Sequence, residues 1–202
     1  SSALSWGLWP ALRCLLSGDG HAPMIDIYDP APFYEHPEFP RAVSADSFPL
    51  ALRAMVTDAA AGLCQKSKRG AMLVAERFLD MSRNNPAGFR PCDGSAACRA
   101  SCARTCNHAE ERVVLDALRR GCLFERSHVI HVAVDERGAP RDKAVPGCET
   151  CSRLMLEAGV EHVWLWGGAP ARWQAWTAEA FHAETLRNLG LYDPLAPLEV
   201  PR

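Results

Sequence analysis

Two short motifs, each placed at the start of a predicted helix, constrain this chain more than any other feature. His108-Ala109-Glu110 opens one helix, and Cys148 and Cys151, within the segment PGCETC, open the next. One imidazole and two thiolates are ligands that zinc prefers, and three protein ligands leave a fourth position for water. A fold in which these residues share one zinc ion must bring the two helix starts together.

Hydrophobic periodicity predicts a sheet with antiparallel and parallel parts and with helices on both faces. Apolar residues recur at helical spacing in some segments, and β-branched residues alternate or cluster in others. The predicted elements are, in order, a helix over 48–64, a hairpin of strands over 71–75 and 78–82, a helix over 108–120, a strand over 128–135, a helix over 148–158 ended by Gly159, a strand over 160–166 and a helix over 173–189.

Length and composition predict one main domain. A chain of 202 residues with 48% apolar content can bury one good core. Repeated prolines predict an irregular arm over residues 1–46, followed by the domain at 47–190 and a tail at 191–202. Because the longest apolar runs fall far short of the ~20 residues of a membrane-spanning helix, we expect no membrane association.

The nine cysteines have irregular spacing, which argues against a disulfide framework and favours thiols in a reducing, cytoplasmic environment. Four of them precede His108 closely: Cys92, Cys98, Cys102 and Cys106. Their spacing departs from paired C-x-x-C motifs, so a second zinc site, free thiols and a local disulfide all stay open. One of the four could also complete a closed structural zinc site, although Glu110 favours the open, catalytic arrangement.

Charge is unevenly distributed along the chain. Residues 61–143 carry five more basic than acidic side chains, whereas 1–60 and 144–202 are acidic by four and three. A basic centre suits an anionic substrate, and a solvated surface with the same bias is the alternative. The cluster KSKR at 66–69 fits either a solvated loop or a phosphate contact.

Other aromatic and histidine residues are interpreted as structural. His128 and His131 lie on a predicted strand and His162 precedes another, so we expect core or surface groups rather than metal ligands. Trp173 and Trp176 lie three apart on a predicted helix, where they pack in the core or stack on a base.

The two motifs together resemble the zinc deaminase pattern H-x-E…P-C-x-x-C. Over roughly residues 48–190 the chain resembles the cytidine deaminase-like superfamily, and CETCSRLMLEAGVEHVWLW is most similar to its deoxycytidylate and nucleic-acid deaminases. The resemblance implies a three-layer α/β/α fold with a mixed sheet of about five strands, the last of them parallel. Gly147 departs from the pattern, because it separates Pro146 from Cys148.

By this resemblance, His108, Cys148 and Cys151 hold Zn²⁺ and Glu110 carries protons during the reaction. Asn84 or Asn85, at the end of the second strand, matches a position that contacts the substrate, and Ala109 is a further candidate substrate contact. Many members of the superfamily are dimers or tetramers, which implies a homo-oligomer.

The implied reaction is hydrolysis of the amino group of a cytosine-type base, with release of ammonia. We expect a free nucleoside or nucleotide as substrate. Two alternatives remain: a base in single-stranded or double-stranded nucleic acid, and a zinc-binding module without turnover. Ammonia release from nucleosides, nucleotides and DNA distinguishes the three.

Overall fold

A five-stranded mixed sheet runs through the centre of the protein, in a computed structural model that describes residues 26–86, 92–141, 145–167 and 173–191. The helices are α1 (Ala31–Glu35), α2 (Phe48–Ala60), α3 (Ala96–Thr105), α4 (Ala109–Arg119), α5 (Glu149–Ala158) and α6 (Ala178–Asn188). The strands are β1 (Lys68–Ala75), β2 (Phe78–Arg83), β3 (Asn85–Pro86), β4 (Cys106–Asn107), β5 (His128–Val134), β6 (His162–Trp166) and β7 (Trp173–Thr177). No helix within these ranges is long and apolar enough to span a membrane.

The strand order in the main sheet is β2-β1-β5-β6-β7. β1 pairs antiparallel with both β2 and β5, and β5 pairs parallel with β6. All seven residues of β5 are buried, as expected for a central strand covered on both faces. The predicted mixed sheet of about five strands is confirmed.

Helices cover both faces of the sheet and give the predicted three layers. On one face, α2 and residues 27–39 of the arm pack against alternate residues of β1, β5 and β6. On the other face, α4, α5 and α6 pack against the intervening residues of the same strands. The period of two along each strand therefore assigns its side chains alternately to the two layers.

The predicted helix over 173–189 is wrong in its first part. Trp173–Thr177 forms β7, and α6 begins only at Ala178, where the Thr177 hydroxyl accepts a hydrogen bond from the Ala180 N–H at 3.2 Å. Gln174, Ala175 and the residues after Thr177 all suit a helix. The hydrophobic periodicity therefore predicted one continuous helix and no separate strand. Trp173 nevertheless lies in the sheet, because burial of its indole against Trp166 stabilises the strand.

The implied parallel arrangement of the last strands is also corrected. β7 runs antiparallel to β6, with Trp173 opposite Trp166. Only residues 167–172 separate the two strands, and a parallel connection needs a crossover of a dozen or more residues. The connection is therefore too short for the parallel alternative.

The described part of the arm joins the core of the domain. Phe33, on α1, is fully buried, with ring centroids 4.9 Å from Phe48, 4.6 Å from Trp164 and 5.1 Å from Trp173. The Trp173 indole N–H donates to the Ile27 carbonyl at 3.0 Å. The arm thus fills one layer of the domain, although proline prevents a long helix there.

We expect Phe33→Ala to lower the free energy of unfolding by about 3–5 kcal/mol, because it empties a site surrounded by aromatic rings. Urea denaturation followed by tryptophan fluorescence measures the loss. Leu123→Ala is the matched control, since Leu123 is 77% exposed and its truncation should change stability by less than about 0.5 kcal/mol. Equal stability of the two variants would show that the arm is not part of the core.

Candidate active site

His108 is positioned by the start of α4. It occupies the N-cap position with extended backbone angles, and its own N–H donates to the Glu111 carboxylate at 3.3 Å. This reciprocal capping fixes the first turn of the helix. The predicted helix start is confirmed, and the His108 ring points to the beginning of α5.

Cys148 and Cys151 are positioned by the start of α5. Cys148 is the N-cap residue, and its sulfur accepts a hydrogen bond from the Cys151 N–H at 3.3 Å. The helix ends as predicted at Gly159, whose φ of 83° suits a residue without Cβ. Both sulfurs therefore lie at the positive end of a helix, where negative charge is stabilised.

The three side chains meet at one point. His108 Nδ1 lies 3.1 Å from Cys148 Sγ and 3.2 Å from Cys151 Sγ, and the two sulfurs are 2.8 Å apart. Within the four described ranges, no fourth histidine, cysteine or carboxylate joins this group. The arrangement is a set of three donors, as an open zinc site requires.

The group favours a thiolate even without a cation. Hydrogen bonding with Cys151, together with His108, lowers the pKa of Cys148 to about 5 against the effect of burial. The same contact with Cys148, reinforced by burial, raises the pKa of Cys151. Hydrogen bonding with Cys148 raises the pKa of His108 against its burial.

Glu110 lies in the first turn of α4 and is only 7% exposed. Burial acts to raise the pKa of its carboxyl, but the positive potential of His131, Arg69 and His108 outweighs it and the pKa is lowered. Its Oε2 atom is buried and has no hydrogen-bond partner among the described residues. A buried carboxylate oxygen without a partner is costly and is found where a ligand or water belongs.

His131 is a site residue that the sequence interpretation missed. It lies on β5, its Nε2 atom is 3.3 Å from Glu110 Oε1, and both residues line the same cavity. Burial lowers the pKa of His131 to about 4, although Glu110 opposes the shift. The period of two places His131 on the same face of β5 as Val129 and Ala133. Periodicity does not show whether that face borders a cavity.

The cavity that these residues line has a volume of about 180 Å³. Leu165 and Phe181 form an apolar part of the cavity wall, and Lys66 and Arg69 place positive charge at the cavity. Neither cation has a carboxylate oxygen within 4.0 Å in the described part of the chain. The described residues of the arm do not line this cavity, because the arm packs on the opposite face of the sheet.

Asn84, Asn85 and Ala109 do not line the cavity. The Asn84 amide is used by the backbone: it accepts from the Arg69 N–H at 2.9 Å and donates to the Ser67 carbonyl at 2.8 Å. The Oδ1 atom of Asn85 is buried without a partner among the described residues, and the Ala109 side chain is buried in the apolar core. Asn84 therefore stabilises the backbone of two cavity-lining residues, Ser67 and Arg69, without lining the cavity itself.

The four cysteines upstream of His108 do not converge. Cys92 Sγ lies 3.4 Å from Cys98 Sγ, and Cys102 borders the cavity, but no three of the four sulfurs, all in described segments, lie within 4.8 Å of one another. All four are free thiols. Of the alternatives left open for these cysteines, the described arrangement favours free thiols over a four-thiolate metal site.

Several solved structures are similar to this protein. One is a dCMP deaminase from the cyanophage S-TIM5 in complex with dCMP and dUMP, with 17% identity and a TM-score of 0.47 over 74% of this chain and 96% of that chain. Its apo form has 17% identity and a TM-score of 0.44 over 69% and 88%. A mutant cytidine deaminase from Mycobacterium tuberculosis has 16% identity and a TM-score of 0.35 over 59% and 83%.

No protein-family model matches the sequence, and a search of curated proteins finds no match.

Proposed function

We propose that this protein is a zinc-dependent deaminase of the cytidine deaminase-like superfamily, acting on the amino group of a cytosine-type base in a free nucleoside or nucleotide. The observation that carries the proposal is the convergence of His108, Cys148 and Cys151 beside the unpartnered Oε2 of Glu110. A purely structural zinc site has four protein ligands and needs no free carboxylate.

The donor set fits zinc. Two sulfurs and one imidazole nitrogen lie within reach of a single ion, and the site already favours a thiolate at Cys148. When bound, zinc would act as a Lewis acid and lower the pKa of a coordinated water towards about 7. His108, Cys148 and Cys151 would hold the ion, while Glu110 stays free of it.

Glu110 is the proton carrier in this proposal. Hydrolysis adds water to the ring carbon and releases the amino group as ammonia, so one proton of the water passes to the ring nitrogen and the other to the leaving nitrogen. The Oε2 atom is free to accept a proton and return it. Burial of the carboxylate excludes bulk water from this exchange.

His131 is a positioning residue. Its ring lies against Oε1 of Glu110 at 3.3 Å, which leaves Oε2 as the working oxygen. Neither ring nitrogen of His131 has a hydrogen-bond partner among the described residues, so Nε2 is available to donate to Oε1 of Glu110. Such a contact would fix the direction in which Glu110 faces.

The two cations favour an anionic substrate. Lys66 and Arg69 border the cavity and have no carboxylate oxygen within 4.0 Å in the described chain, so both are available to a phosphate. Lys68, between them in sequence, instead donates to the Gly62 carbonyl at 2.6 Å. We therefore favour a nucleoside monophosphate over a nucleoside.

We expect Glu110→Gln to retain zinc and to lose at least ~10²–10⁴-fold in kcat, since the amide cannot take up the proton. Metal analysis and ammonia release measure the two quantities. Glu157→Gln, on the exposed side of α5, is the control and should keep both. Turnover retained in Glu110→Gln would exclude the assigned role.

We expect His131→Leu to lower kcat by ~10–100-fold with little change in KM, because Glu110 loses its orienting neighbour while the substrate contacts remain. His131→Gln, which keeps an N–H donor, should restore part of kcat. Steady-state kinetics of both variants test this. A purely structural role predicts equal losses in the two variants.

We expect Arg69→Gln to raise KM for a cytidine monophosphate by ~10–100-fold and to leave KM for the nucleoside nearly unchanged, since a charge-assisted hydrogen bond contributes about 1.5–3 kcal/mol. Arg77→Gln, at the exposed turn of the β1–β2 hairpin, is the control. Cytidine, deoxycytidine, their monophosphates and single-stranded DNA should be compared by ammonia release. Activity on the polymer alone would contradict the proposed substrate.

A further inference from the structure

A second group of metal-ligating side chains lies away from the cavity, at the other end of β5 and β6. His36 follows α1 directly, Glu38 comes two residues later, and His162 is the first residue of β6. A ring nitrogen of each histidine and a carboxylate oxygen of Glu38 all lie within 4.8 Å of one another. His162 Nε2 is 3.4 Å from Glu38 Oε2.

Each imidazole of this group has a nitrogen atom without a hydrogen bond. The Nδ1 atoms of His36 and His162 are buried and have no hydrogen-bond partner in the described segments, whereas His162 faces Glu38 through Nε2. Buried polar atoms without partners are costly, and such atoms call for a water or an ion. Glu38, whose side chain is 57% exposed, gives the group access to solvent.

Neighbouring rings hold the histidines in place. His128 stacks on His162 with centroids 4.7 Å apart and an interplanar angle of 29°. His128 is fixed in turn, because its Nδ1 accepts a hydrogen bond from the Trp164 indole at 2.9 Å. The His36 ring meets His162 edge-on at 4.6 Å. The ligating geometry is thus preorganised by packing.

We propose that His36, Glu38 and His162 bind a second zinc ion, which fastens the arm to the sheet. Two imidazoles and one carboxylate are a donor set that suits Zn²⁺, whereas Ca²⁺ and Mg²⁺ prefer oxygen ligands. Two ligands come from the arm and one from β6, so the ion would link segments that are distant in sequence. It would be separate from the cavity, which contains none of these three residues.

The test is the metal content of the full chain after dialysis against zinc at neutral pH. We expect about two zinc ions per chain in the unchanged protein and about one in Glu38→Gln and in His162→Gln. Glu35→Gln, an exposed carboxylate on α1 outside the group, is the control and should keep both. Glu38 is exposed, so its variant should fold normally, which circular dichroism verifies.

Cobalt substitution separates this site from the proposed active site. Thiolate ligands give Co²⁺ an intense near-ultraviolet charge-transfer band, whereas nitrogen and oxygen ligands give only weaker visible bands. We expect Glu38→Gln to lose the Co²⁺ equivalent without thiolate bands and to keep the equivalent that has them.

Zinc bound only at the thiolate site of the unchanged protein would overturn the proposal. A second ion retained equally in Glu38→Gln and His162→Gln would do the same. If no thiolate band forms but one ion still depends on Glu38 and His162, the proposed function fails and this second site stands.

Discussion

The central constraint in this protein is that two helices begin at the same end of one strand. α4 precedes β5 and runs back along it, so its start lies beside the end of β5. α5 follows β5 and leads into the parallel strand β6, so it also starts near that end. These chain directions, together with the packing of α4 on the sheet, bring His108 to Cys148 and Cys151, residues that are 40 and 43 positions away in sequence.

Charge explains why this point suits a cation. Ionised forms of Cys148 and Glu110 would place negative charges close together in a buried region. Two helix N-termini and the Arg69 guanidinium offset part of that cost, and a divalent ion would offset the rest. A divalent ion at this point would therefore serve both the electrostatics of the folded chain and the proposed chemistry.

The sequence predicted those parts of the fold and site that depend on local signals. Helix starts at His108 and Cys148 carry caps and acidic first turns, and Gly159 marks a helix end. β7 was missed because Gln174 and Ala175 suit a helix, and only burial of Trp173 against Trp166 places the segment in the sheet.

The contacts of His131 and His162 were missed for a different reason. Alternation along a strand assigns each side chain to one face of the sheet. The residues that pack against that face come from segments distant in sequence. Glu110 reaches His131 from α4, and Glu38 reaches His162 from the arm. Such partners are fixed only by the complete tertiary structure, so single-sequence patterns gave these histidines a structural interpretation.

The odd separation of His128 and His131 along β5 has a consequence for how the chain tolerates change. Because three is odd, one imidazole faces the arm layer and the other faces the cavity. Deleting or inserting a single residue within β5, between the two histidines, would turn both rings to the same face, so one of them would lie in the wrong layer. We therefore expect changes of length to be tolerated in the loops that flank β5 and not inside the strand.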